Sequence, residues 1–293
     1  MTVEFDYQVR TEGLTIEELL REKWQLGKKM VHELRMASAV TGADGEPIGW
    51  TQGLKAGDVL RLRIADPASS YTPDHGSLTI AYQDEHCLVV HKPAGMAVHP
   101  NEPGGTGTLM NRVMAESLAA GRSYAEHVHR LDQGTSGLVL IARHPVAKAV
   151  FDRMLEKKEI RRVYFSETDK RFQKPRGRID APIGRDRHHA TRRRVSPSGQ
   201  PAVTHYEVLR EENGRSLVRL ELDTGRTHQI RVHMASTGHP IVGDALYGGR
   251  LTEGGGYRLH AGQMAFIQPF TGEELVIDDP QEPGWLEKWA RGD

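Results

Sequence analysis

Apolar and polar side chains alternate over much of this chain, with the period of two that β-strands require. The clearest case is residues 60–64, where leucine and isoleucine alternate with arginine. Further strands are predicted at 78–82, 88–91, 137–142, 163–166, 202–209, 217–222, 259–267 and 274–277. Helical spacing predicts one or two short helices within 14–36, and single helices at 108–120, 146–158 and 227–237. Because strands outnumber helices and do not alternate regularly with them, we predict an α+β fold with a mixed, largely antiparallel sheet flanked by helices.

A change in this pattern near residue 70 predicts two domains. Residues 1–66 combine short helices, a turn cluster and one strand, which suits a small N-terminal α/β domain. The segment 67–76 contains proline, serine and glycine and is typical of a linker. Residues 77–293 carry the remaining elements and form the larger domain.

The composition is that of an ordinary folded protein. Of 293 residues, 38% are apolar and 27% are charged, which excludes disordered and fibrous classes. The single cysteine, Cys87, excludes an internal disulfide framework and a cysteine zinc site; in an apolar strand it is expected to be a small buried residue. The acidic N-terminus is not a signal peptide, and apolar runs such as 138–142 are too short to cross a bilayer. We therefore expect a soluble cytoplasmic protein.

Charge is segregated along the chain although it balances in total, with 39 Lys and Arg against 39 Asp and Glu. Residues 170–194 hold ten basic side chains against two acidic ones, including Arg192, Arg193 and Arg194 in succession. Residues 271–293 hold seven acidic side chains against two basic ones. The basic segment is typical of a protein that contacts a polyphosphate, although a solvated loop would also account for it.

One candidate for chemistry is Asp132, in the stretch H-R-L-D-Q-G-T-S-G at 129–137 just before a buried strand. Glycines permit tight turns around this carboxylate, and Thr135 and Ser136 are placed to donate hydrogen bonds that orient it. A carboxylate can serve as nucleophile or general base. By composition alone, a turn aspartate that bonds its own backbone is the stronger interpretation.

A second candidate is Arg231, in D-T-G-R-T-H-Q-I-R-V-H at 223–233. Thr227 is a good N-cap for the predicted helix, and the helix N-terminus together with Arg226 offers an anion site. Thr227 and Arg231 are four residues apart and would share a face. Arg231 suits a partner carboxylate or phosphate, unless it is a routine surface arginine.

The histidines His228, His233, His239 and His260 raise the possibility of a metal-dependent hydrolase. A zinc site on a helix needs histidines three or four residues apart, whereas His228 and His233 are five apart. We therefore expect no metal, and interpret these histidines as structural or RNA-contacting.

Five short segments follow one another in order between residues 77 and 270. They are H-K-P-A-G-M at 91–96 with V-H-P at 98–100, H-R-L-D at 129–132 with T-S-G at 135–137, V-Y at 163–164, T-G-R-T-H-Q-I-R-V-H at 224–233, and G-H-P-I at 238–241 with G-D-A-L-Y-G at 243–248. This ordered set resembles the RluA/RluD-type pseudouridine synthase family. The resemblance implies that residues 77–293 are a cofactor-free catalytic domain that isomerises uridine to pseudouridine in structured RNA.

The resemblance also implies residue roles. Asp132 would be the catalytic carboxylate, Tyr164 would lie against the uracil ring, and Arg231 would pair with Asp132. Arg130 would fill the gap that the flipped-out base leaves in the RNA stack. Other residues expected to contact RNA are His129, Arg226, His228, Arg192, Arg193, Arg194, Lys28, Lys29 and Arg35.

The N-terminal segment resembles the S4 RNA-binding domain that is often fused to this family. It departs from that domain in charge, since residues 1–66 hold nine basic and eleven acidic side chains. Large-subunit ribosomal RNA is the expected substrate, with transfer RNA as the alternative. A non-catalytic RNA-binding or assembly factor on the same scaffold is a further alternative. We expect a monomer that needs no small-molecule cofactor and no membrane.

Overall fold

The computed structural model describes residues 2–252 and 255–291. The strands are β1 Thr2–Gln8, β2 Val40–Gly42, β3 Val59–Ala65, β4 Thr79–Gln83, β5 Cys87–Lys92, β6 Glu126–His127, β7 Ser136–Ala142, β8 Arg161–Asp169, β9 Arg176–Asp180, β10 Ile183–Arg185, β11 Arg193–Val195, β12 Val203–Glu212, β13 Arg215–Leu222, β14 Leu259–Ile267 and β15 Glu274–Asp278. The helices are α1 Ile16–Glu18, α2 Lys28–Met36, α3 Leu109–Ala119, α4 Pro145–Glu156, α5 Gln229–Ser236 and α6 Gly284–Arg291, with a π-helical turn at Leu19–Lys23 and a 3-10 turn at Ala245–Tyr247. Within these ranges, no helix has the length and apolar character needed to cross a membrane.

A small three-stranded antiparallel sheet, ordered β1-β3-β2, forms the N-terminal part. Strand β1 alternates strictly, so that Val3, Phe5 and Tyr7 are buried while the residues between them face solvent. The helical segment that follows starts at a capping box, in which Thr15 and Glu18 bond each other's backbone N–H groups. These strands and helices make the predicted small α/β unit.

The main sheet has ten strands, and eight of them form the path β4-β5-β7-β14-β8-β13-β12-β9. Strand β15 pairs with β14, and β6 pairs with β7. Among the strands that the structure describes, β7 and β14 form the one parallel pair, and the other pairs are antiparallel. The predicted mixed, largely antiparallel sheet flanked by helices is therefore confirmed.

The parallel junction between β7 and β14 lies at the centre of the sheet and needs a glycine. Gly137 has a φ of 117°, and a Cβ atom there would lie 2.3 Å from the backbone oxygen of Ala261. One residue earlier, the Ser136 hydroxyl lies 3.0 Å from Nδ1 of His260. Because the 129–135 loop runs directly into this junction, the junction fixes the end of the loop that carries Asp132.

A continuous hydrophobic core joins the N-terminal sheet to the main sheet. Phe5 of β1 packs against His86 and His144, and all three contact Phe270. Arg10 also donates a hydrogen bond to the backbone oxygen of Phe270. The two predicted domains thus share one buried interface, while the boundaries at residues 66 and 76 stay predictions.

The predicted linker is anchored to the main sheet rather than loose. Asp66 is buried and accepts hydrogen bonds from the backbone and hydroxyl of Ser123. Further along, Ser69 donates to the Ala125 backbone oxygen and Tyr71 donates to Glu126. This segment therefore holds the strand β6 that leads into the Asp132 loop.

Candidate active site

A cleft of about 590 Å³ opens where the 129–135 loop, strand β8 and the start of α5 meet. Its walls include all three predicted catalytic residues, Asp132, Tyr164 and Arg231. A volume in this range suits a single nucleoside-sized ligand. The structure thus brings together three side chains that lie up to 99 residues apart in the sequence.

The backbone of the Asp132 loop is held by a buried lysine. Lys92 is inaccessible to solvent, and its ammonium donates to the backbone oxygens of Pro93, Met96 and Gln133, at 2.9, 2.7 and 3.1 Å. Gly95 and Gln133 add two further hydrogen bonds between the same segments. Lys92 therefore ties the 92–96 turn to the residue that follows Asp132.

The expectation that Thr135 and Ser136 orient the Asp132 carboxylate is wrong. The Thr135 hydroxyl bonds that of Tyr257 at 3.1 Å, and the Ser136 hydroxyl bonds His260. Of these two residues, only Thr135 bonds Asp132, and it does so through its backbone N–H, which donates to the Asp132 backbone oxygen. The loop is shaped by these bonds, but the carboxylate takes its partner from elsewhere.

That partner is Arg231, whose Nη1 lies 3.3 Å from Oδ2 of Asp132. The other nitrogens of the guanidinium bond Asp244, with Nε at 2.7 Å and Nη2 at 2.9 Å. Burial disfavours the charged guanidinium, but the hydrogen bonds to Asp244, together with the electrostatic attraction of Tyr257, Asp244 and Asp132, outweigh this effect and raise the pKa of Arg231. Arg231 is thus a permanent cation held between two carboxylates.

Two tyrosines complete the surroundings of Arg231. The rings of Tyr247 and Tyr257 lie 5.0 and 4.4 Å from its guanidinium carbon, within the range of a cation–π contact. Tyr257 also packs on Gly134, where a Cβ atom would lie 2.7 Å from the ring. The glycine in the Asp132 loop is therefore required by this tyrosine.

Tyr164 projects from β8 into the cleft wall and is 5% exposed. It belongs to the apolar cluster that also contains Leu131, Leu220 and Ile230. Burial raises the pKa of its hydroxyl, while the nearby cation of Arg162 opposes the rise. At neutral pH this side chain therefore presents a neutral phenol beside the cleft.

The start of α5 differs from the prediction. Its N-cap is His228, with a left-handed φ of 59°, and not Thr227. The preceding turn is closed by Gln229, whose side-chain oxygen accepts from the Arg226 backbone N–H and the Thr224 hydroxyl. Because His228 adopts the left-handed conformation, its ring enters the cleft and Nε2 lies 4.0 Å from Oδ2 of Asp132.

The remaining predicted RNA contacts beside the cleft fall into two groups. Arg130 and Arg226 are both exposed, and Arg226 donates a hydrogen bond to the Pro201 backbone oxygen. His129 is instead buried, and its Nε2 accepts a hydrogen bond from the Leu140 backbone. The expectation that His129 contacts RNA is therefore corrected, because its ring holds the loop against β7.

The later part of the basic segment lies in a hairpin of β10 and β11, while its earlier part includes β9 at the edge of the main sheet. Arg192 is paired with Asp186 at 2.7 Å, and the Arg193 backbone N–H donates to Tyr247. The side chain of Arg194 is exposed. Of the three RNA contacts predicted in this segment, Arg192 is therefore already paired with a carboxylate, while Arg194 is open to a ligand.

The three predicted N-terminal contacts lie on α2. Lys29 is 3.8 Å from Glu33, and Arg35 is 3.1 Å from Glu17 and stacks over the ring of Trp50. These contacts occupy Arg35, while Lys28 faces solvent.

Within residues 2–252 and 255–291, no group of three or more His, Cys, Asp or Glu side chains is placed to hold a metal. The four histidines considered as zinc ligands have separate partners. His228 bonds Tyr247, His233 bonds Thr204, His239 stacks on Phe172, and His260 bonds Ser136.

Comparison with known proteins identifies the family. Residues 86–236 match the family model described as RNA pseudouridylate synthase. The chain belongs to this family. It is therefore an RNA pseudouridine synthase, an isomerase, as the ordered motifs predicted. Residues 3–60 match the N-terminal domain of the RluD ribosomal pseudouridine synthase.

Relatives of this pseudouridine synthase cover most of its length. It is 47% identical over 231 residues to the uncharacterized RNA pseudouridine synthase YhcT of Bacillus subtilis (strain 168), covering 78% of this chain and 76% of the relative. It is 39% identical over 226 residues to the ribosomal large subunit pseudouridine synthase D of Vibrio vulnificus (strain CMCP6), covering 69% and 67%. The solved structure of human RNA pseudouridylate synthase domain containing 1 shares the fold, with a TM-score of 0.58, 24% identity, and coverage of 78% and 98%.

Sequence reasoning missed Asp244, Tyr257 and Lys92 as members of the site. Asp244 and Lys92 lie within the quoted segments 243–248 and 91–96, so the signal was present without a role attached. Tyr257 lies outside all of the segments, and only the fold places it against Gly134 and Arg231.

Proposed function

We propose that this pseudouridine synthase isomerises a uridine in large-subunit ribosomal RNA and uses Asp132 as its essential carboxylate. The observation that carries the proposal is the ion pair between Asp132 and Arg231 in the cleft. Support for the substrate comes from the relatives named ribosomal large subunit pseudouridine synthase D, such as the Vibrio vulnificus protein.

The chemistry asks for a carboxylate at this place. The bond between ribose C1′ and uracil N1 breaks, a bond between C1′ and C5 forms, C5 loses its proton and N1 gains one. A carboxylate can act as nucleophile or as base in such a sequence. The Asp132 side chain is 24% exposed and so can reach a nucleotide, while Arg231 aims it and stabilises its charge.

Two neighbours suit the nucleotide that must leave the RNA stack. Tyr164, buried in the cleft wall, would lie against the uracil ring. Arg130 is exposed two residues before Asp132, where it would fill the vacated position in the stack. Unstacking a base costs a few kcal/mol, so a filling side chain offsets part of that cost.

The remaining roles follow from charge. Arg226 and His228 at the cleft, Arg193 and Arg194 on the hairpin, and Lys28 on α2 would contact the RNA backbone. Asp132, Tyr164 and Arg231 would carry out the reaction without a bound cofactor. The cytoplasmic location and the monomeric state stay predictions.

The test is a map of pseudouridines in ribosomal and transfer RNA from a strain that lacks the gene. We expect one or a few large-subunit sites to be lost, and to be restored by the wild type but not by Asp132→Asn. Asp278→Asn is the matched control, because Asp278 is an exposed carboxylate that accepts a hydrogen bond from Gln263 and does not line the cleft. Sites lost only from transfer RNA would overturn the substrate, and restoration by Asp132→Asn would overturn the role of the carboxylate.

A further inference from the structure

The hydroxyl of Tyr247 joins the basic hairpin to the active site. It accepts a hydrogen bond from the Arg193 backbone N–H at 2.9 Å. It also lies 2.8 Å from Nδ1 of His228. Neither contact was foreseen from the motifs, and Tyr247 carries no role in the proposed reaction.

The other ring nitrogen of His228 faces the catalytic carboxylate. Nε2 lies 4.0 Å from Oδ2 of Asp132, which is too long for a direct hydrogen bond. An oxygen atom of a bound nucleotide that enters between these groups would be within reach of Nε2. His228 can therefore donate a hydrogen bond to that oxygen only if Nε2 carries a hydrogen.

The hydrogen bonds of Tyr247 favour a hydrogen on Nε2. A tyrosine has one O–H to donate, and its oxygen can accept bonds as well. Because the Arg193 backbone can only donate, the Tyr247 O–H is left to donate to Nδ1 of His228. A neutral histidine whose Nδ1 accepts must carry its hydrogen on Nε2.

The opposite tautomer would be poorly matched to its surroundings. With the hydrogen on Nδ1, the ring would donate to Tyr247, and the Tyr247 O–H would lose its acceptor. The bare Nε2 would then direct a lone pair at the carboxylate of Asp132. The first arrangement satisfies the Tyr247 hydroxyl and Nδ1 and turns an N–H group towards Asp132, whereas the second leaves two acceptors facing each other.

We propose that Tyr247 is a positioning residue that fixes His228 as its Nε2–H tautomer, so that His228 donates a hydrogen bond to an oxygen of the target uridine beside Asp132. The inference rests on the proposed function of Asp132. It adds a donor to the site and places His228 at the uridine itself rather than at the RNA backbone.

The charges around His228 agree with a neutral ring. Burial lowers its pKa, and the cations of Arg231 and Arg193 act in the same direction. The carboxylates of Asp132 and Asp244 oppose them. A neutral ring is required, because a protonated histidine has no tautomers and could not accept from Tyr247.

Nitrogen NMR of protein labelled with 15N in histidine tests the tautomer directly. The His228 signals are assigned by their loss in His228→Gln. We expect an unprotonated Nδ1 and a protonated Nε2 in the wild type at neutral pH, and a mixture of tautomers in Tyr247→Phe. A protonated Nδ1 in the wild type would overturn the proposal, whatever the activity of Asp132→Asn.

Kinetics then separate this role from mere anchoring of the hairpin. We expect Tyr247→Phe to lower kcat roughly tenfold, the loss of about one hydrogen bond, with KM changed less than about twofold. Tyr82→Phe is the control, since it removes a hydroxyl that bonds Asp84 outside the cleft. A rise in KM at unchanged kcat would show that Tyr247 only anchors the hairpin and would overturn the proposal.

Side-chain amides at position 228 give a second comparison. The amide of Gln can occupy the place of Nε2, whereas the shorter Asn reaches only the place of Nδ1. We expect His228→Gln to keep more of the wild-type kcat than His228→Asn, although Asn tolerates the left-handed backbone better. The reverse order would overturn the assignment, while full activity of Asp132→Asn would instead overturn the proposed function beneath it.

Discussion

Arg231 is held more firmly by Asp244 than by Asp132. Two guanidinium nitrogens bond the Asp244 carboxylate at 2.7 and 2.9 Å, while a third reaches Asp132 at 3.3 Å. Asp244 is 1% exposed, so this bidentate pair is shielded from water. The direction in which Arg231 points, and hence the position of the Asp132 carboxylate, is set by Asp244.

Replacing Asp244 with Asn should therefore lower activity, although Asp244 is not among the residues that line the cleft. The variant keeps an oxygen but loses the charge that holds Arg231. We expect single-turnover rates to fall by at least about tenfold, and the free energy of unfolding to fall by about 3 kcal/mol, because a buried cation is left undercompensated.

Glu167→Gln is the matched control for this variant. Glu167 is equally buried and holds Arg215 and Arg258, but it lies outside the cleft. The control should lose similar stability, measured by urea unfolding, and keep its turnover rate. If both variants lost activity in proportion to their stability, the positioning role of Asp244 would be refuted.

The contact between Arg231 and Asp244 could not be predicted from the sequence. The pairing of Asp132 with Arg231 was predicted because both lie in motifs of the family. Thirteen residues separate Arg231 from Asp244, and no periodicity places them side by side. The contact depends on the Gly243 turn, which has a φ of 87° and lets the chain fold back after α5.

The fold was predicted where the hydrophobic pattern was strong. Strands β5 and β7 are buried on both faces and were found as continuous apolar runs. Strand β9 was missed because its residues are half-exposed and mostly charged. Strand β1 was missed although Val3, Phe5 and Tyr7 alternate clearly, so its signal was available.

A second prediction concerns Lys92, the buried cation beneath the Asp132 loop. Lys92→Met keeps the volume of the side chain but removes three hydrogen bonds to backbone oxygens. We expect a loss of roughly 3 kcal/mol in the free energy of unfolding and faster hydrogen exchange at Gly95, whose N–H bonds the Gln133 oxygen. Lys55→Met, at an exposed position, is the control and should change neither quantity.

A third prediction concerns the β10–β11 hairpin. Arg194 is exposed and Arg192 is paired with Asp186, so their contributions to RNA affinity should differ. Arg194→Ala should reduce the slope of log Kd against log salt by about 0.7 to 0.9, the value of one phosphate contact. Filter binding over a range of salt measures this slope, with Lys55→Ala as the control. An unchanged slope in Arg194→Ala would remove this arginine from the interface.

The last prediction concerns acid stability, because two buried histidines lie between the N-terminal sheet and the main sheet. Nδ1 of His86 lies 3.0 Å from Nε2 of His144, and the His144 Nδ1 accepts from the Ala147 backbone. His144 must therefore donate from Nε2, and His86 must accept as a neutral ring. Burial lowers the pKa of His86 to about 4, although the nearby Asp84 carboxylate opposes the shift.

The sign follows from comparison with the unfolded chain, where a histidine has a pKa near 6.5. Between about pH 6.5 and 4 the unfolded state binds more protons, so stability is complete above pH 6.5 and falls as the pH drops towards 4. One such ring contributes roughly 3 kcal/mol over this window. We expect urea unfolding to show this loss, and His86→Phe to make it less steep, because the new ring can still pack on Phe5 and Phe270 without taking up a proton. His75→Phe replaces an exposed histidine and should keep the wild-type dependence. An equally steep loss in His86→Phe would assign the acid sensitivity to groups other than His86.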